Sequence, residues 1–519
     1  MDLKRFNTPA RWLAGGAVLA LGALLLAQFS FEAVSAREWA AFFILEVLVA
    51  GMGWLAFFHL RKEQPPKWLY WLVFGAVLLR LVLGVFWFWA LPVWGYPNET
   101  QQAGYIMYDP YLRDGHAWDL AQSGKSLFEA FRGFSPHDQY GGLLFISALV
   151  YRTAGFSEHV PQLMLVITSA VSGLGVLYVW GFTHRLWGKS AAKWAAVGMA
   201  IYPEAVLLGS AHMREAFTIP LGVALGFLLV RFWQDRKTGD AVVFLLLLGL
   251  TGAITWAFVL QLFLVLFLVT LGLVLDRVPT LRLSRGQLLG AGTAVVIAAA
   301  GGLYFWPILE TMSGFQRFLT QSYSGMVQAI FSRTPEFLHT PFLLGYGIVR
   351  PLLPAALISQ GDSIFWRVIA IWRAVGWSVL LALLAYALLQ IIRQRVWFRP
   401  PGMLFLGNLF VMLVAAFRAG GDLWDNPRYR AGFAAFQLAL AAWSLLQQRQ
   451  KRDPWLRRVV VLVLIQLFWL MIWYLARNTA VPWLPGKAMN MVGLGFLVSG
   501  VYLLWEWVRS QSEQDPPPP

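Results

Sequence analysis

Three aspartates, an arginine and a histidine crowd into YDPYLRDGHAWD (Tyr108–Asp119), a short stretch of a chain that is otherwise strongly apolar. A carboxylate in such a place can take a proton as a general base, and an arginine beside it can hold an anion. Asp109 and Asp114 are the candidate bases, and Arg113 is the cation between them. Two further clusters repeat these residue types. SAHMRE (Ser210–Glu215) bunches His212, Arg214 and Glu215, a trio suited to a phosphate or a metal ion. RAGGDLWDNPRYR (Arg418–Arg430) sets Arg418, Arg428 and Arg430 around Asp422 and Asp425, and a guanidinium fork matches phosphate oxygens. Plainer readings stand beside these: a helix cap for Asp109, solvated surface for Asp119, Lys125 and Glu129, and ordinary loop polarity for SAHMRE. Arg428 and Arg430 flank Tyr429 and cannot share a helix face, so one of them is expected to pair with Asp425. The chain has no cysteine, which excludes disulfides, thiolate nucleophiles and cysteine metal sites.

The elements that must position these clusters are membrane helices. The 519 residues are 58% hydrophobic and 13% charged, against about 25% charged in soluble chains. Apolar runs of roughly 20 residues centre near Ala20, Leu48, Leu79, Ser172, Val197, Ala224, Leu247, Leu266, Val295, Leu380, Phe410, Leu438, Leu464 and Leu494. They predict an all-α polytopic membrane protein with about 13–14 transmembrane helices. The net charge of +15 is concentrated in short basic clusters, such as Arg61-Lys62, Arg185 to Lys193 and Arg449 to Arg458, each following an even-numbered run. That is the positive-inside pattern. It puts both termini in the cytoplasm of a cell (plasma or inner) membrane, and it argues against nucleic acid as a partner. The first run, Trp12 to Phe31, is long for a cleaved signal peptide and reads as an uncleaved anchor.

Two stretches need separate treatment. Gly141 to Val150 is apolar but short, and a full span there would invert every later loop, so it reads as re-entrant or interfacial. Ala241 to Leu275 would reach ~52 Å as one helix and must turn near Trp256. The outer face then collects segments at about 95–140, 210–216, 310–365 and 417–430, together with His116, His137, His159, His212 and His339. Asp109-Pro110 reads as the start of a helix running to Gln122 and stopping at Ser123-Gly124, with a second short helix over Ser126 to Phe131. Both would lie in the membrane interface. Phe331 to Ile364, with its prolines, reads as an irregular outer loop. Arg80, inside the third run, reads as a buried structural pair or a lipid-phosphate contact.

The sequence resembles the GT-C superfamily of membrane glycosyltransferases. The likeness is to its family 39-like branch of protein O-mannosyltransferases and bacterial aminoarabinose transferases. Asp109 is followed by AWDLAQSG (Ala117–Gly124) and QYGGLL (Gln139–Leu144), and later by LYVWGFTHRLWGKSAAKWAAVGMAIYPEAVLLGS (Leu177–Ser210), whose Tyr202-Pro203 step leads to Glu215. The chain departs from the family in having Asp138-Gln139 before Tyr140, two extra leading spans, and Asp109 and Asp114 spaced apart where the family has an adjacent acidic pair. The resemblance implies a GT-C-like fold with juxtamembrane helices in the first large outer loop. It implies inverting transfer of a sugar from a polyprenyl-phosphate-linked donor to a glycan, lipid or protein acceptor outside the membrane. Asp109, Asp114 and Glu215 would be catalytic; Arg113, Arg214, Arg428 and Arg430 would bind the donor phosphate; Tyr108, His116, Tyr140 and His212 would position donor and acceptor. The resemblance makes no cofactor certain and leaves a divalent metal ion open.

The expected organisation is two N-terminal helices (1–67), a catalytic transmembrane module (68–308) with outer loop 95–140, a second outer loop (309–365), C-terminal helices (366–508) and a disordered tail (509–519). Two other functions compete. One is an O-antigen ligase or polymerase, with its chemistry in the loop holding His339 and Arg350. The other is a lipid-linked saccharide transporter, which should line a mid-membrane path with charge and often shows internal repeats that this sequence lacks.

Overall fold

The computed structural model describes residues 9–132, 140–277, 325–358, 363–419, 426–478 and 488–512. All regular structure among them is helical, and ten helices are long and apolar enough to cross a membrane. The protein is an all-α polytopic membrane protein. Its contacts define two compact units. One holds Met1–Phe263, Gly361–Gly376 and Ala431–Arg449; the other holds Leu264–Gln360, Trp377–Arg430 and Gln450–Pro519. The apolar run near Val295, together with His137, Asp138-Gln139, Asp422 and Asp425, lies outside the described residues.

The first unit opens with α1 (Pro9–Ser30), α2 (Ala36–Leu60) and α3 (Lys67–Trp94). After α4 (Glu99–Gln102) come α5 (Tyr108–Gln122) and α6 (Gly142–Ala154), then α7 (Gln162–Ile201), α8 (Pro203–Gly209), α9 (Glu215–Asp235) and α10 (Thr238–Arg277), of which the residues up to Phe263 belong to this unit. Two of these helices double back. Gly188, inside α7, takes φ +82, a backbone that glycine adopts without strain. A Cβ on Gly175 would lie 3.1 Å from the methyl of Met199, although a straight helix would hold those residues ~36 Å apart. In α10 the non-helical residue is Thr255, one position from the expected turn. Asp240 pairs with Arg231 of α9, while Phe258 packs against Gly222 of the same helix. Each hairpin therefore holds two of the runs read from sequence. The run near Leu438 forms the helix Ala434–Lys451, which is not among the ten apolar spans.

Close approach in this unit depends on small residues at helix faces. A Cβ at Gly173 would meet Val77 of α3, and one at Gly226 would meet Phe436. The chain breaks where α7 meets α8, because Pro203 has no N–H to donate to the carbonyl of Met199 four residues back. Arg80 of α3 supplies the missing donors. Its guanidinium bonds the carbonyls of Met199 (3.0 Å) and Ala200 (3.3 Å), and its Nε bonds Ser172 Oγ (2.9 Å). It is wholly buried, so Arg80 is a structural residue of the α7–α8 break. Glu204, next to the proline, is gripped at both oxygens by Arg373, at 2.9 and 2.7 Å.

Three local expectations change. The N-cap of α5 is Met107, so Asp109 lies within the first turn of the helix. The Asp-Pro step misleads because a proline anywhere in the first turn removes only an N–H that has no partner in the helix anyway. The second short helix is a 3-10 turn, Leu127–Phe131, whose Ser126 hydroxyl accepts from the Phe128 N–H. The segment after Phe331 is mostly helical, with His339–Val349 and Leu353–Ile358; Pro341 and Pro354 sit in first turns and break nothing. By contrast α6, at ~20 Å, is too short to span, as expected.

The second unit packs Val327, Leu343, Tyr346, Trp473 and Met491 into one apolar cluster. Elsewhere in it Asp453 accepts from Tyr386 (3.2 Å) and Arg393 (2.7 Å). Arg80→Met would leave the two carbonyls at the α7–α8 break unpaired in an apolar surrounding. That costs about 2–4 kcal/mol, and the melting midpoint of the purified protein should fall accordingly. An unchanged midpoint would show that the break stands without Arg80.

Candidate functional site

Side chains from four segments of the first unit assemble around Asp114 of α5. Arg113 and Asp114 sit side by side on the inner face of α5, each only 2% exposed. The Tyr105 hydroxyl donates to Asp114 Oδ2 at 2.5 Å and the Tyr151 hydroxyl to Oδ1 at 2.7 Å. His159 Nε2 lies 3.0 Å from Oδ2, and His212 Nδ1 lies 3.7 Å from it. These four partners come from the loop before α5, from α6, from the loop before α7 and from the α8–α9 connection. Arg113 donates to the backbone carbonyl of His212. Arg152 of α6 caps the end of α5 through the carbonyls of Leu120 (2.6 Å) and Ala121 (3.2 Å), which holds Tyr151 in place. Gly104, at φ +82, lets the backbone pass directly against Phe88 just before Tyr105.

Charge follows from this geometry. Burial would raise the Asp114 pKa, but the facing His212 and the hydrogen bond from His159, with Tyr105 behind them, hold it at about 2. Burial, then the Asp114 charge, push the Tyr105 and Tyr151 phenols well above their usual value. Burial pushes the His212 imidazole below its usual value, with Asp114 pulling the other way. Asp114 is thus a fixed anion whose lone pairs are already engaged.

A cavity of about 480 Å³ lies beside it, lined by Tyr105, Tyr111, His116, Asp119 and His159 among others. His159 belongs to both places. It meets Asp114 through Nε2, and its ring, stacked on Trp118 at 5.3 Å, forms part of the cavity wall. An anionic Asp114 fixes the tautomer with the proton on Nε2, which leaves Nδ1 as an acceptor. The pair therefore provides a base at the wall of a polar chamber.

The structure brings together Arg113, Asp114 and His212 from the sequence candidates. It also pairs Arg214 with Tyr140, the guanidinium lying 5.1 Å from the ring centroid. Glu215 begins α9, and its Oε2 is buried without a hydrogen-bond partner among the described residues. His116 lines the cavity, whereas Asp109 and Glu215 do not. Tyr108 is exposed and Asp109 half-buried. Arg428 and Arg430 belong to the second unit. There Arg430 is buried over the Trp377 ring at 3.6 Å and donates to the carbonyls of Gly347 and Arg350. Arg428 is buried beside Tyr429 and donates to its hydroxyl at 3.3 Å. Tyr105, Tyr151 and the role of His159 were missed. Among the described residues no group of three or more His, Asp or Glu side chains is placed to hold a metal ion.

No family model matches the sequence, and no curated protein matches it. Among solved structures the chain is similar to an archaeal oligosaccharyltransferase, AglB from Archaeoglobus fulgidus, in complex with an inhibitory peptide and a dolichol-phosphate. The identity is 15% and the TM-score 0.41, over 89% of this chain and 57% of that one. This chain thus spans little more than half the length of that structure.

The folded-state pKa of Asp114 lies below the ordinary carboxylate value of 3.8. Its contribution to stability is complete above that value and is lost as the pH falls through about 2. A depression of that size corresponds to about 2 kcal/mol. Asp114→Asn should lower the melting midpoint at neutral pH and flatten its dependence on pH between about 4 and 2. Identical acid profiles for wild type and variant would contradict the buried-anion assignment.

Proposed function

We propose that this chain is a membrane glycosyltransferase. It would move a sugar from a polyprenyl-phosphate-linked donor to a hydroxyl of an extracytoplasmic glycan, lipid or protein, with inversion. The observation that carries this reading is the Asp114–His159 pair at the wall of the polar cavity. Hydroxyls, imidazoles and aromatic rings around a chamber of about 480 Å³ suit a sugar. The apolar helices around it suit a donor whose isoprenoid chain stays in the bilayer. The positive-inside pattern supports an outward-facing site with both termini in the cytoplasm.

In this scheme the acceptor hydroxyl gives its proton to His159 Nδ1, and Asp114 stabilises the imidazolium that forms. The acceptor oxygen bonds to the anomeric carbon as the bond from that carbon to the phosphate oxygen breaks. The electron pair leaves with the phosphate. Arg214, half-exposed over Tyr140, is the proposed holder of that growing charge. Arg113 and Arg430 are read as structural posts, since both donate to backbone carbonyls. Asp109 is the alternative base, and Glu215 a second acidic contact for donor or acceptor.

The test is incubation of purified protein with a short-chain polyprenyl-phosphate sugar, scoring release of polyprenyl phosphate. His159→Gln and Asp114→Asn should each lower kcat by about 10²–10⁴, with Asp109→Asn retaining most of it. Wild-type release rates in His159→Gln would remove His159 as base. Movement of the lipid-linked sugar across vesicles without any transfer would identify a transporter instead.

A further inference from the structure

A second cavity, of about 790 Å³, lies between α2, α6, α7, α9 and the first arm of α10. Its walls are apolar for most of its length, with Leu55, Val171, Leu174, Leu221, Leu247 and Leu250 among them. It runs along α9 from Phe217 to Arg231, ~21 Å of helix. One leaflet contributes about half of a ~30 Å hydrocarbon core. The groove is therefore long enough for an acyl chain from a single leaflet.

One end of the groove is charged. It carries His59, Arg61, Lys62, Glu63, Arg231, Asp235, Lys237 and Asp240. The three carboxylates there are already held. Arg185 bonds Glu63 and Asp235, and Arg231 bonds Asp240. Lys237 shares Asp235 at 3.1 Å. That leaves Arg61 and Lys62, both exposed, without a carboxylate partner among the described residues. The imbalance at the mouth of an apolar groove matches a phosphodiester at the head of a fatty chain. This end lies at the C-terminus of α9, whereas Arg214 and Glu215 lie at its N-terminus. The charge pattern assigns it to the cytoplasmic leaflet.

We propose that this groove binds an anionic phospholipid, with its acyl chain along α9 and its phosphate at Arg61 and Lys62. The site does not depend on the transfer reaction. The full chain, purified in detergent, is incubated with equal amounts of phosphatidylglycerol and phosphatidylcholine, and the retained lipids are counted by native mass spectrometry. Phosphatidylglycerol should be retained with a preference of roughly tenfold or more. Arg61→Gln with Lys62→Gln should abolish the preference. Ala224→Phe, neutral and inside the groove, should reduce retention of both lipids. Equal retention by the wild type, an unchanged preference in the double variant, or unchanged retention in Ala224→Phe would each overturn the proposal. Where the double variant does not fold, Lys62→Gln alone, on an exposed side chain, should at least halve the preference, and no change would overturn it.

Discussion

A carboxylate sealed from water has to be given its partners by the surrounding chain, and for Asp114 those partners come from four separate segments. Removing one partner of a buried charge costs more than an ordinary contact, because the charge stays behind unpaired. The requirement acts on the fold as a constraint. α6 must bring Tyr151, the 155–161 loop must bring His159, and the α8–α9 connection must bring His212 within reach of one carboxylate. The same constraint orients His159, so the rigidity of the site and its proposed chemistry have one origin.

The supports of that arrangement are themselves buried polar contacts. Arg80 completes the carbonyls that Pro203 leaves open, and Arg373 holds Glu204 one residue further on. Together they fix the direction in which the chain leaves α7 and so the place where His212 arrives. Arg152 does the equivalent for α6 by capping α5. At the other end of the unit, Arg185 ties Glu63 to Asp235, which joins the turn after α2, the bend of α7 near Gly188 and the end of α9. These buried and half-buried arginines are spent on helix termini and carboxylates, whereas Arg61 and Lys62 are exposed.

The architecture was largely legible because lipid imposes a strong length and charge rule on each helix. The turn expected near Trp256 falls at Thr255, and the short apolar stretch after Gly141 is a helix too short to span. Local punctuation was less secure. Asp109-Pro110 resembled a helix start, with Asp109 as cap, but proline is tolerated through the whole first turn, and the helix begins two residues earlier, with Met107 as its cap. The prolines after His339 misled in the same way. Within the site, Arg113, Asp114 and His212 were recognisable by type. Tyr105 and Tyr151 belong to no polar cluster in the sequence, and His159 was placed on the outer face without its partner; they meet Asp114 across 9, 37 and 45 residues of sequence. Only packing creates those meetings. The carbonyl partners of Arg430, Gly347 and Arg350, likewise leave no trace in the sequence.

The central claim is that the Asp114–His159 pair serves a sugar held in the adjoining cavity. An experimental structure of the chain with a short-chain polyprenyl-phosphate sugar tests it most directly. The account predicts the sugar ring between Tyr105, Tyr111, His116 and His159. An acceptor hydroxyl placed for attack should then fall within about 3.5 Å of His159 Nδ1. A donor bound elsewhere, with this cavity holding only water, would contradict it.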